Sequence, residues 1–434
     1  MRRKITEKLI GWKKKKGRMP LIINGARQVG KTYSALSFGK DFYDSTAYFN
    51  MEDSVELASV FERDLDPERI IRELEAFSAQ KILPERTLVI FDEIQASERA
   101  LTSLKYFCEK APSYHIIAAG SLLGVALNRV KYSFPVGKTE TVNLYPMDFE
   151  EFLWALGRDT LAENIRMAFS SFEPLSLHDT AMDIFRKYIV VGGMPKAVAE
   201  YTDKGDFNYV TAVQKSLANA YIADMAKYAS PQETTRILAA WNSLPGQLAK
   251  ENHKFQYKMI KSGARSAEYE TPIAWLEAAG IIYKCTRVTQ GLLPLAAYSD
   301  NSSFKIYLMD TGVLCSKFGI SPNIIMNMPH AFDQFKGALT ENYVMQGLRA
   351  NEVDPFYWNP DNKLEVDFVF QNSLGQIIPI EVKSSENVRS RSLSNYCARY
   401  APPYSIRLSP KNFGFENNIK SVPLYALFCL DALR

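Results

Sequence analysis

Residues 25–32 read GARQVGKT and directly follow the short apolar run LIIN at 21–24. Glycine at the first and sixth positions, then lysine and threonine, fits G-x-x-x-x-G-K-[ST]. No other stretch constrains the fold as much. Gly25 and Gly30 let successive backbone N–H groups close around a phosphate, and a helix beginning near Lys31 would aim its positive end at the same anion. Gly25, Ala26, Arg27, Gln28, Val29, Gly30, Lys31, Thr32 and Tyr33 are therefore the candidate nucleotide-binding segment. Lys31 would reach the β- and γ-phosphates of ATP, and the Thr32 hydroxyl would hold Mg²⁺.

Such a loop needs an acid at the end of a neighbouring strand, and TLVIFDEIQ supplies it. Asp92 emerges from the apolar run to bind Mg²⁺ through water, and Glu93 is placed to polarise the attacking water as general base. The competing view makes both residues caps of a following helix. A third run, YHIIAAGS, ends at Ser121, which either senses the γ-phosphate or caps a helix. Asn50, Glu52 and Asp53 sit at another strand end, where exposed loop acids are the plainer reading.

The first 150 residues alternate short apolar runs with helical patterns, the order of a parallel α/β sheet. The strands are expected at 21–24, 46–50, 87–92, 114–120 and 141–145, covered by helices on both faces. Residues 150–250 turn helical, with Gly192-Gly193 as a turn between helices. Helix AEYETPIAWLEAAG should end at Gly280 in a left-handed cap. IIYKCTRV and FKIYLMD then make a two-stranded wing. Helix GALTENYVMQGLRAN precedes the final strands, expected as a hairpin and two runs at 404–409 and 421–428. The expected architecture is multidomain α/β: a P-loop domain over 1–155, a helical stretch with a winged-helix-like segment over 156–325, and a C-terminal α/β domain over 326–434.

Five dispersed cysteines and four histidines argue against a zinc site or a disulfide framework and suit a reducing cytoplasm. No run approaches the about 18 apolar residues of a membrane span, and no apolar signal segment is evident. The net charge of +4 conceals an arm. Residues 1–18 hold nine Lys/Arg against one Glu, so the remainder is acidic on balance. The arm either contacts phosphate or is a solvated face.

The C-terminal hairpin EVDFVFQNSLGQIIPIEVKSS carries its charges with a period of two. Glu365, Asp367 and Val369 should share one face, with Val366, Phe368 and Phe370 buried on the other. A turn at NSLG would bring Asp367 beside Glu381 and Lys383. Asp367 and Glu381 would hold Mg²⁺, and Lys383 would orient a water for attack on phosphate. The bland alternative is a hairpin with a solvated polar face.

NGARQVGKT, VIFDEIQ, AAGSLLG and SFPVGKTETVNLYPMDFEEFL together resemble the AAA-type P-loop ATPases of an archaeal and bacterial family with an uncharacterised second half. YIVVGGMPKAV, EYETPIAWLEAAGII, FKIYLMDTG, GALTENYV and EVDF…PIEVKS are similar to that second half, so the resemblance spans nearly the whole chain. It implies an ATP-binding core, a helical lid, a winged-helix-like segment and an end resembling PD-(D/E)XK nucleases, whose helix acid would be Glu341. It also implies a homo-oligomer in which an arginine acts on a neighbour's phosphate. Here Lys138 stands after SFPVG instead and lacks the planar fork of arginine. Arg129 and Arg158 are the substitutes. The expected function is ATP hydrolysis coupled to a nucleic-acid-engaging, Mg²⁺-dependent nuclease domain. The alternatives are a nucleotide-gated module that binds DNA or protein without cutting, and a winged-helix regulator. Lys261 and Arg265 near the wing's helix are offset by Glu268, Glu270 and Glu277.

Overall fold

The computed structural model describes residues 1–121, 135–250, 254–327, 333–361, 363–385 and 390–433. The chain forms two compact units. The first gathers Arg2–Tyr145 with Ala278–Gly280; the second gathers Pro146–Glu277 and Ile281–Arg434.

In the first unit, β1 (Leu21–Asn24), β2 (Ser45–Asn50), β3 (Thr87–Asp92), β4 (His115–Ala119) and β5 (Glu140–Asn143) form one sheet. Its order is β2-β3-β4-β1-β5, and every pairing is parallel. Parallel strands end at one edge, so Asn24, Asp92 and Ala119 finish side by side, and the loops after β1, β3 and β4 converge there. The connecting helices start where the sequence supplies caps: Ser54, Asp66 before Pro67, and Ser97 each accept backbone N–H groups. β3 and β4 are buried along their full length. β5 departs from the expected run at 141–145. It is shorter, and its residues alternate between half-buried and exposed because it closes an edge of the sheet.

The basic arm is also not a free tail. Its helix Ile5–Lys14 buries Ile5, Leu9 and Trp12. Arg3, 6% exposed, donates to the carbonyls of Val29 (2.8 Å) and Tyr145 (2.8 Å). A single guanidinium thus ties the arm to the phosphate loop and to the residue that ends this unit.

In the second unit, eight strands make a mixed sheet in the order β12-β13-β11-β10-β9-β8-β6-β7. They are β6 (Ile282–Val288), β7 (Ser299–Leu308), β8 (Phe356–Trp358), β9 (Val366–Gln371), β10 (Ile377–Val382), β11 (Ser405–Ser409), β12 (Gly414–Glu416) and β13 (Ile419–Pro423). The two strands expected as a wing after helix Ser266–Ala278 pair antiparallel as β6 and β7 within this sheet, and β6 pairs in parallel with β8. Helix Asp333–Ala350 precedes β8, and helix Arg391–Tyr400 crosses from β10 to the parallel strand β11. Residues 421–428 do not form one strand. The ladder stops at Pro423, and the chain from Leu424 winds as a 3-10 helix to Leu433, because residues 424–430 are apolar and buried on every side rather than alternating.

Gly192 and Gly193 form the expected break, between helices His178–Val191 and Pro195–Lys204. A side chain at Gly193 would meet the Met147 carbonyl at 2.0 Å, and one at Gly192 would meet the Asp310 carboxylate at 2.4 Å. Asp310, fully buried, accepts from the Gly193 amide (2.6 Å) and the Val313 amide (2.9 Å). Burial pushes its carboxyl up to about 6.

Candidate functional site

The loop 25–30 joins β1 to helix Lys31–Phe42. Gly25 is required by a close approach: a Cβ there would come 2.2 Å from the Leu144 carbonyl oxygen. Gly30 has φ +97°, a conformation side chains rarely adopt. Lys31 is 7% exposed, and its ammonium donates to the carbonyls of Gly25 (3.0 Å) and Ala26 (2.8 Å). The charge is thereby held over the loop rather than released to solvent.

Asp92 gathers the strand ends. Its Oδ2 accepts from the Thr32 hydroxyl (2.7 Å) and the Tyr48 hydroxyl (2.8 Å), and its Oδ1 from the Glu93 amide (3.0 Å). Burial, together with the hydrogen bond to Asp92, raises the Tyr48 phenol above its ordinary range. Glu93 has φ +47° in a non-glycine residue, a strain of about 1–3 kcal/mol of the kind concentrated at functional sites. Its Oε2 accepts from Gln95 (2.6 Å) and from the Ser121 hydroxyl (3.2 Å). Ser121 therefore stands beside the candidate base. Asn50 bonds Asp53 (2.7 Å) and the Glu52 amide (3.0 Å), a closed loop cluster. Arg129 lies outside the described residues. Lys138 is ion-paired with Glu109 at 3.1 Å, and Arg158 is exposed.

Thr32 and Asp92 fit Mg²⁺: a hydroxyl and a carboxylate are hard oxygen donors, and they already lie within hydrogen-bond distance. Tyr48 carried no signal beyond its place on β2, four residues before Glu52. It became legible only through the pairing of β2 with β3.

The second cluster lies on the mixed sheet. β9 and β10 pair antiparallel about the turn 372–375, with Ile380 opposite Phe368. One residue further along each strand come Asp367 and Glu381. Asp367 Oδ2 accepts from the Val382 amide (2.7 Å), and Glu381 Oε1 pairs with the Lys383 ammonium (2.7 Å). Burial first, then the Glu381 and Glu341 carboxylates, push Asp367 well above the ordinary carboxylate range. Glu381 is 4% exposed, and its Oε2 is buried with no hydrogen-bond partner. One expectation fails here. Val369 follows Asp367 by two residues but is fully buried, packed with Trp358 and Tyr396, because helix Arg391–Tyr400 covers that part of the face.

Glu341 comes from helix Asp333–Ala350, as expected, but its immediate partners come from β7. Its Oε2 accepts from the Tyr307 hydroxyl (3.0 Å) and pairs with the Lys305 ammonium at 3.5 Å. Lys305, 1% exposed, also pairs with Glu365 at 2.6 Å. Burial alone would lower its pKa, but Glu341, Glu365 and Asp367 outweigh burial and raise it above the usual lysine range. Lys305 and Tyr307 were not among the expected site residues. The available signal was a lysine in the strand run SSFKIYLMD, whose apolar neighbours require it to be buried and hence paired. Among the described residues, no three His, Cys, Asp or Glu side chains gather closely enough to hold a metal ion alone. Asp367 and the unpartnered Glu381 oxygen still suit Mg²⁺, which keeps waters and needs one or two carboxylates.

Residues 17–153 match the family model described as an AAA domain, 182–323 a domain of unknown function (DUF8612), and 336–427 another (DUF4143). Residues 17–153 are thus an AAA domain with a P-loop, and the parallel five-stranded sheet is its core. No curated protein matches the chain. Among solved structures, the Walker-type ATPase of Pyrococcus abyssi aligns at 16% identity and TM-score 0.45, over 73% of this chain and 95% of that one. The ORC2 protein of Aeropyrum pernix aligns at 10% identity and TM-score 0.37, over 77% and 90%. RuvB of Thermotoga maritima aligns at 11% identity and TM-score 0.29, over 64% and 85%. No helix among the described residues is long and apolar enough to cross a membrane.

Proposed function

We propose that this chain binds Mg·ATP at residues 25–33 and hydrolyses it, and that its C-terminal part engages nucleic acid as a Mg²⁺-dependent nuclease. The observation that carries the first half is the bond from Thr32 to Asp92, the residues next in the chain to Lys31 and Glu93. Mg²⁺, when bound, would supply positive charge that neutralises charge developing on the phosphate. Thr32 and Asp92 hold its place, Lys31 faces the phosphates, and Glu93 takes the proton of the attacking water. Ser121 and Gln95 orient the Glu93 carboxylate. Assistance from a neighbouring copy would fall to Arg129 or Arg158, since Lys138 is a point charge already paired with Glu109.

The nuclease half rests on the order helix, β8, β9, β10, helix, β11, with Glu341, Asp367, Glu381 and Lys383 at the successive positions such a site uses. Asp367 and Glu381 would hold Mg²⁺, and Lys383 would orient the attacking water. A second reading is a nucleotide-gated module that binds DNA or protein without cutting. The observation favouring it is Lys305, which already neutralises Glu341.

The test measures ATP hydrolysis and cleavage of plasmid and branched DNA with Mg²⁺ or Mn²⁺. Lys31→Ala should abolish hydrolysis. Asp367→Ala and Lys383→Ala should abolish cleavage while hydrolysis persists. Hydrolysis unchanged in Lys31→Ala refutes the ATPase assignment, and clean wild-type protein without cleavage favours the binding module.

A further inference from the structure

Each of the two carboxylate pairs of the C-terminal centre has a lysine, and the two lysines are placed differently. Between Glu341 and Glu365 stands the Lys305 ammonium, 2.6 Å from Glu365 Oε1 and 3.5 Å from Glu341 Oε2. Both carboxylates have further partners. Glu341 Oε2 takes the Tyr307 hydroxyl at 3.0 Å, and Glu365 Oε2 takes the Asn359 amide at 3.2 Å. The Tyr357 ring lies 5.2 Å from the ammonium and closes the cage. On the other side, the Lys383 ammonium pairs with Glu381 Oε1 at 2.7 Å, and the buried Glu381 Oε2 has no hydrogen-bond partner.

We infer that Lys305 is a built-in cation standing where a metal would otherwise sit between Glu341 and Glu365, so that the centre has one divalent-cation position, at Asp367 and Glu381, instead of two. Glu341 then acts on the site through Lys305 rather than as a metal ligand. A second divalent ion would have to displace an ammonium that is fully buried, and the burial of a charge is tolerated only while its partners stay. The metal position at Asp367 and Glu381 rests on the nuclease reading above; the role of Lys305 does not.

The experiment counts Mn²⁺ bound per full-length chain, without nucleotide, by calorimetry and electron paramagnetic resonance. A Thr32→Ala/Asp92→Ala background removes the P-loop ion. The expected result is one ion, lost in Asp367→Asn. Lys305→Met should bind one additional ion, which Glu341→Gln removes, while Lys305→Arg should gain none. Lys305→Met that folds and binds no additional Mn²⁺ overturns the inference. If Lys305→Met is unfolded, Mn²⁺ should restore its melting transition towards that of Lys305→Arg, and failure to do so overturns the inference equally. An ion gained in Lys305→Met when the parent binds none at Asp367 would refute the nuclease reading alone.

Discussion

At the scale of single residues, Asp92 takes hydrogen bonds from Thr32, Tyr48 and the Glu93 amide, so one carboxylate holds the P-loop helix, β2 and β3 in register. Glu93 is positioned differently, by a left-handed backbone and by Gln95 and Ser121. This division of labour has a kinetic consequence. Glu93→Gln would remove the proposed base but keep the donors around it, so kcat for ATP should fall by about 10²–10⁴-fold. Affinity for Mg·ATP should stay within a few-fold, as equilibrium titration would show. A proportional loss of affinity would place Glu93 in binding rather than catalysis. Which residues were legible in the sequence follows the same logic. Lys31, Thr32, Asp92 and Glu93 sit at fixed distances in a local motif or at a strand end. Tyr48 and Lys305 gain their meaning only from a neighbouring strand or helix, which local spacing does not report.

At the scale of elements, period-two and strand–helix signals found the parallel sheet and the hairpin because those patterns record burial directly. They misjudged segments whose burial is set from outside. β5 is half-exposed because it is an edge, and Val369 is buried because a helix covers it. The Gly192-Gly193 turn shows how tightly such joints are built. Gly193→Ala would drive a Cβ to 2.0 Å from the Met147 carbonyl, and about 2–4 kcal/mol of destabilisation is expected in a denaturant titration. Asp310, which grips the same turn, makes a pH prediction. Its folded-state value of about 6 lies above the 3.8 of the unfolded chain. Its contribution is therefore fully present below about pH 4 and lost as the pH rises through 6. The loss is about 3 kcal/mol. Asp310→Asn should remove that slope; an unchanged slope between pH 4 and 7 would assign it to other groups.

At the scale of the whole molecule, two units each carry one chemically distinct cluster. The first holds a P-loop whose lysine lies against the Gly25 and Ala26 carbonyls; the second concentrates buried acids around two lysines. The basic arm belongs to the first: Arg3 braces the Val29 carbonyl, inside the phosphate loop itself. His115, pushed down to about 4 by burial and the nearby Arg18 and Lys13, titrates in the opposite sense to Asp310. Its depressed value means stability present above pH 6.5 and lost as the pH falls towards 4, so acidification should weaken the first unit while Asp310 favours the second. Unfolding followed by separate tryptophan reporters, Trp12 in the first unit and Trp241 in the second, should show midpoints moving apart between pH 7 and 4.5. Movement in step would contradict this. Mg·ATP binding at residues 25–33 is measured by calorimetric titration of Mg·ATP into the full chain. One site per chain is expected in the wild type, none in Lys31→Ala, and weakened binding without Mg²⁺. Wild-type affinity retained in Lys31→Ala would contradict it.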